Sequence, residues 1–171
     1  VYGDTSSSTA GANSGGDPVS TYSGELYTAF SPDLDLGGPM PLVFSRYYAS
    51  LLVTNDDITG RLGNNWLHNF EMTLSQSDNE VKVVTNLGRV IEFKQTGGGW
   101  ELKGTTDIVY QLSENDSVFT LVDPGDQRRY VFNVTGQLIG VEDGRGNVHT
   151  LTYAGAELDQ VSDGLGRTLS F

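Results

Sequence analysis

Val161-Ser162-Asp163-Gly164-Leu165-Gly166-Arg167-Thr168-Leu169-Ser170-Phe171 restates, 20 residues on, the pattern of Val141-Glu142-Asp143-Gly144-Arg145-Gly146 and its closing Leu151-Thr152-Tyr153. Two looser copies precede it: Val84-Thr85-Asn86-Leu87-Gly88-Arg89 leading to Phe93, and Leu121-Val122-Asp123-Pro124-Gly125 leading to Tyr130-Val131-Phe132. Each copy reads as an apolar residue, an Asp or Asn turn, a glycine, then a strand closed by an aromatic. The glycine-to-aromatic distance is 5 or 7 residues. A difference of two is one full pleat, so the aromatic returns to the same sheet face. Leu138/Leu158, Val141/Val161, Asp143/Asp163 and Gly146/Gly166 all keep the 20-residue register. Such a period marks stacked supersecondary units.

Outward from these copies the pattern stays that of strands. Trp66, His68, Phe70, Met72 and Leu74 alternate with Leu67, Asn69, Glu71, Thr73 and Ser75, which predicts one long strand. Ser77-Asp78-Asn79 and Glu114-Asn115-Asp116 supply turns before apolar runs return. Further strands are expected over 26–30, 42–49, 100–103, 128–132, 137–141, 148–153 and 158–161. Nothing carries a sustained helical period, so the expected fold is all-β and essentially free of helix. Short local connections predict an antiparallel meander, an open twisted sheet leading into an array of hairpins. Residues 1–16, rich in Ser, Thr and Gly, read as a flexible linker. Residues 17–135 read as a capping β-domain and 136–171 as the first repeats, with the boundary near Gly136. The chain stops at Phe171, the last residue of a repeat phrase, and so reads as a piece of something longer.

Composition narrows the partners. The 171 residues hold 22 acidic against 10 basic side chains, a net charge of −12. Such a charge repels nucleic-acid phosphates and anionic membrane surfaces. The absence of cysteine excludes disulfides and thiolate chemistry. No apolar stretch approaches a membrane span, which argues against membrane insertion by this segment, and the N-terminus has no signal-peptide pattern.

Candidates for chemistry are few. Phe44-Ser45-Arg46-Tyr47-Tyr48 and Arg61-Leu62-Gly63-Asn64-Asn65-Trp66-Leu67-His68-Asn69 form the densest cluster. Tyr47, Tyr48 and Trp66 could stack on sugar rings, with Arg46 and His68 donating hydrogen bonds. The competing reading places Trp66 in the core, on one strand face with His68, Phe70 and Met72. The shared face favours burial, which gives Trp66→Ala an expected cost of about 3–5 kcal/mol. Asn55-Asp56-Asp57 and Asp123-Pro124-Gly125-Asp126 could offer oxygens to calcium, but neither has EF-hand spacing, and both suit turns better. Asp33 and Asp35 share a face in a Pro-bounded surface stretch. No nucleophile-elbow or His-Glu-x-x-His motif is present, so no catalytic residue, cofactor or metal is expected.

With these residues in view, the chain resembles the Rhs/YD-repeat proteins. Asp143-Gly144-Arg145-Gly146-Asn147 and the run 158–167 look like YD repeats. Gly16-Asp17-Pro18-Val19, Gly24-Glu25, Gly38-Pro39, Pro41-Leu42 and the run 44–50 resemble the domain that opens the Rhs core. Gly60, Leu62-Gly63, Trp66 and His68-Asn69 complete the likeness. The resemblance implies a β-strip that spirals into a hollow shell. Relatives include polymorphic toxins of bacterial competition, C components of insecticidal toxin complexes and teneurin-type adhesion proteins. It implies a structural scaffold in a secreted or cell-surface protein, partnered by downstream repeats of its own polypeptide and by a C-terminal effector. An adhesion module binding glycan or a protein is the alternative, and a glycan-active enzyme stands well behind. Pro18-Val19-Ser20-Thr21-Tyr22-Ser23-Gly24-Glu25 also matches the Pro-Val-x4-Gly-Glu sequence at which some Rhs effectors are processed. The simpler reading of Pro18 and Gly24 is that they frame the first strand.

Overall fold

The computed structural model describes residues 19–20, 24–104 and 108–171. The linker expected over 1–16, Pro18 of the processing motif and the side chains of Asn55 and Asp56 lie outside the described residues. Along the chain run β1 (Tyr27–Ala29), β2 (Leu34–Asp35), β3 (Val43–Phe44), β4 (Arg46–Ala49), α1 (Leu52–Asp56), β5 (Thr59–Gly60), β6 (Gly63–Asn64) and β7 (Trp66–His68). Then come β8 (Thr73–Ser77), β9 (Glu80–Val84), β10 (Val90–Thr96), β11 (Gly99–Leu102), β12 (Gln111–Asn115) and β13 (Val118–Asp123). The last are β14 (Arg128–Phe132), β15 (Leu138–Glu142), β16 (Val148–Ala154), β17 (Glu157–Ser162) and β18 (Thr168–Ser170). Among the described residues the fold is all-β and antiparallel, with no closed barrel. Its sheets are β1-β4-β7, β11-β10-β9-β8, the sequential meander β12 to β18, and the two-stranded ladders β2-β3 and β5-β6.

Two compact units divide the chain. The first holds the described residues up to Asp33, then Phe44–Glu71 and Asn86–Arg89. It contains the sheet β1-β4-β7. Against expectation it also contains α1, a single helical turn. The Val53 N–H, one of the donors a helix start leaves open, is taken by Asn65 Oδ1 at 3.1 Å. Asp57 ends the turn in the left-handed region at φ 53°.

The predicted long strand 66–74 is interrupted, and Glu71 is the reason. Its N–H bonds back to the His68 carbonyl at 2.9 Å. Its carboxylate accepts the backbone N–H groups of both His68 and Arg61. Phe70 N–H donates to His68 Nδ1 at 3.3 Å. These bonds form a turn that keeps His68, Phe70, Met72 and Leu74 buried, so the alternation survives while the strand does not. The predicted strand 42–49 is likewise split at Ser45, whose N–H and C=O are taken by Asn69.

The second unit holds Leu34–Val43, Met72–Thr85 and Val90–Phe171. Each of its large sheets buries one face. Leu74, Val81, Val83, Ile91 and Phe93 line the four-stranded sheet; Phe119, Leu121, Phe132, Leu138, Val141, Leu151 and Val161 line the meander. Gly136, expected as a boundary, lies in the turn between β14 and β15. Its carbonyl accepts Leu74 N–H at 3.0 Å, and a Cβ there would sit 1.8 Å from the Leu74 carbonyl oxygen. Only glycine permits that approach.

The 20-residue repeat is reproduced residue pair by residue pair. In β15-β16 the partners are Gly140↔Thr150, Val141↔His149 and Glu142↔Val148. In β17-β18 they are Gln160↔Ser170, Val161↔Leu169 and Ser162↔Thr168. The turns agree as closely: φ is 70° and 95° at Gly144 and Gly146, 70° and 94° at Gly164 and Gly166. Asp143 Oδ1 accepts the N–H groups of Arg145 and Asn147; Asp163 Oδ1 accepts those of Leu165 and Arg167. Above these hairpins lies a strap, Leu36 to Leu42. Leu36 N–H bonds the Leu42 carbonyl and Leu42 N–H bonds the Gly37 carbonyl, both at 3.0 Å. The Met40 carbonyl meets His149 Nε2 at 3.1 Å. The Arg167 guanidinium lies against Gly38, with Nη2 2.5 Å from where a Cβ would stand.

Candidate functional site

The site grows from the register of the three-stranded sheet. Thr28 pairs with Tyr48, and Tyr48 with Trp66; Arg46 pairs with His68. Because side chains alternate along each strand, Thr28, Phe30, Arg46, Tyr48 and Trp66 share one face. Tyr27, Tyr47, Ala49 and Leu67 share the other. Ala49 and Leu67 are buried on that second face.

On the first face the rings touch. Phe30 stacks on Trp66 with centroids 5.4 Å apart, and Tyr48 tilts against Trp66 at 5.0 Å. The Arg46 guanidinium sits 5.2 Å from the Phe30 ring centre and 5.5 Å from that of Trp66, a cation–π arrangement with both. Arg46 also donates Nε–H and Nη2–H to the two oxygens of Asp33, each at 2.8 Å. This bidentate pair draws the Asp33 carboxyl below its ordinary range and raises Arg46. Leu26, Thr28, Phe30, Tyr48 and Trp66 line a shallow cleft of about 240 Å³.

Tyr48 and Trp66 are therefore brought together, and Tyr47 is not. Tyr47 faces the opposite side, where burial, then the negative charges of Glu25 and Tyr27, push its hydroxyl up to about 12. Trp66 is half-buried and outside the core, unlike its strand neighbour His68, which is only 4% exposed. Burial, then Arg61, pushes the His68 imidazole down to about 4, so it is neutral at pH 7. Phe30, 38% exposed, and Asp33 complete the site. Neither is marked in the sequence as a neighbour of Arg46 and Trp66, since their membership depends on β1 pairing with β4, 18 to 22 residues away.

The other candidates occupy structural positions. Val19 is 56% exposed and bridges Leu26, while Ser20 N–H donates to the Glu25 carbonyl and Gly24 N–H to the Ser20 carbonyl. Asp123 Oδ1 accepts Gly125 N–H and Asp126 Oδ1 accepts Arg128 N–H, as turn residues do. Asp35 Oδ1 caps Gly37 N–H. Among the described residues no group of three His, Asp or Glu side chains could hold a metal ion. No helix among them is long and apolar enough to cross a membrane.

A family model described only as a domain of unknown function, DUF6531, matches residues 16–93. That stretch takes in the whole aromatic face. No curated protein matches the chain.

Proposed function

We propose that this chain is a structural module of an Rhs/YD-repeat protein, the part that opens a β-shell and hands over to a hairpin array. The observation that carries this reading is the second hairpin copying the first pair by pair and turn by turn at an offset of 20 residues. A geometry repeated so closely can be continued. β18 is the last strand of its sheet, and Leu169 on it stands where His149 stands one repeat earlier. In this reading the partner of that edge is further repeats of the same polypeptide, within an exported or surface protein whose shell encloses a C-terminal effector. The module's role is to terminate and shape the array, since a first repeat otherwise presents an open edge. It does no chemistry itself.

Appending two further units that copy residues 152–171 after Phe171, in the 20-residue register, tests the proposal. Hydrogen exchange should slow at 168–170 and within the first added unit, and the unfolding transition should shift upward. Added units that stay unprotected, with β18 unchanged, would rule out a continuing array. The adhesion alternative draws support from one observation, the aromatic face of the three-stranded sheet.

A further inference from the structure

We propose that the cleft of Leu26, Thr28, Phe30, Tyr48 and Trp66 is a binding site for the ring of a neutral pyranoside. The inference does not rest on the scaffold reading; it makes the adhesion alternative specific.

Size comes first. At about 240 Å³ the cleft falls below the ~300–1,000 Å³ of sites that enclose drug-sized ligands, and so suits one ring. Its lining is mainly apolar and aromatic, the surface on which the C–H face of a sugar packs.

Charge then separates the ligand classes. An anion would approach a chain of net charge −12, with the nearby Arg46 already neutralised by a bidentate Asp33. A cation would find the position over Phe30 and Trp66 filled by the guanidinium of Arg46. A neutral ligand meets neither obstacle. The groups at the rim suit a polyol: the hydroxyls of Thr28 and Tyr48 both donate and accept, and the Arg46–Asp33 pair places donors beside acceptors. The ion pair also fixes the rim before any ligand arrives, which lowers the ordering cost of binding. A proline-rich peptide would instead need several separated ring slots along a groove. Here Phe30 and Tyr48 both pack against Trp66, and the rings form one cluster.

The two indole N–H signals of Trp66 and Trp100 make a test with an internal control, since Trp100 packs on Phe119 in the other unit. Titration of the 171-residue protein with cellotetraose, maltotetraose, chitotetraose and mannotetraose at millimolar concentrations should give a saturable shift of the Trp66 indole with at least one of them. The Trp100 signal should stay still. Phe30→Ala, at an exposed ring, should weaken that binding at least tenfold with the dispersion of the spectrum retained, and Tyr48→Phe should weaken it severalfold. No saturable shift with any of the four sugars would overturn the proposal. So would equal affinity in Phe30→Ala, or a Trp66 response to a polyproline decapeptide and to none of the sugars.

Discussion

His68 and Glu71 share a buried turn in which their side chains approach to 3.7 Å, and their titrations pull stability in opposite directions. His68 has a folded value near 4 against about 6.5 in an unfolded chain. The unfolded state therefore binds the extra proton first, and stability is lost as pH falls from about 6.5 towards 4, by at most about 3 kcal/mol. Burial raises Glu71, so its folded form holds a proton longer and its contribution fades as pH rises above the ordinary carboxyl range. Urea unfolding of His68→Gln between pH 4 and 7 should show a flatter pH slope than the parent; an unchanged slope would assign the dependence elsewhere. Trp66 is the residue where alternation misleads. A half-buried ring that stacks on Phe30 and Tyr48 should cost about 1–2 kcal/mol on truncation to Ala, below the 3–5 expected of a core position. Phe93→Ala, at a fully buried ring, should reach about 3–5 kcal/mol in the same denaturation series. Alternation records which side of the chain is apolar. How deeply each residue sinks is decided by strands far away in sequence.

Hairpins and isolated pairings differ in how much of them can be read from the chain. β15-β16 and β17-β18 were legible because Asp-Gly-x-Gly fixes turn and register within a few residues, and the same phrase returns 20 positions later. β14 matches its expected span of 128–132, and the neighbouring strands differ only at their ends. The sheet β1-β4-β7 was not legible. Its order depends on contacts across intervening loops, and with it went the stacking of Phe30 on Trp66, the pairing of Asp33 with Arg46 and the orientation of Tyr47. The interruption at 69–72 was hidden because Glu71 occupies a polar slot in the alternation while its carboxylate and N–H build a turn. Turn glycines should reveal the same distinction between local and distant demands. Gly144→Ala meets open space and only the strain of φ 70°, a cost of about 1 kcal/mol. Gly136→Ala must also displace the Leu74 carbonyl, and should cost at least twice as much, read as the difference in urea midpoint. Equal midpoints would mean that the close approach of β8 to this turn relaxes freely.

At the scale of the whole molecule, local and distant contacts order the folding. The meander is built from neighbours in sequence, which form early; the strap is not, since Met40 and His149 are 109 residues apart. Met40→Ala should therefore speed unfolding and leave the refolding arm of the chevron nearly unchanged. A slowed refolding arm would place the strap in the nucleus. Synthesis on the ribosome turns this distance into time. At roughly 5–20 residues per second, the strap emerges about 5–20 s before His149 exists to receive it. During that interval Met40 and Leu42, both buried in the finished fold, have no seat. Pro39 and Pro41 stand on either side of Met40 and lack the N–H groups that a foreign strand edge would need, so the segment waits without offering itself as a template.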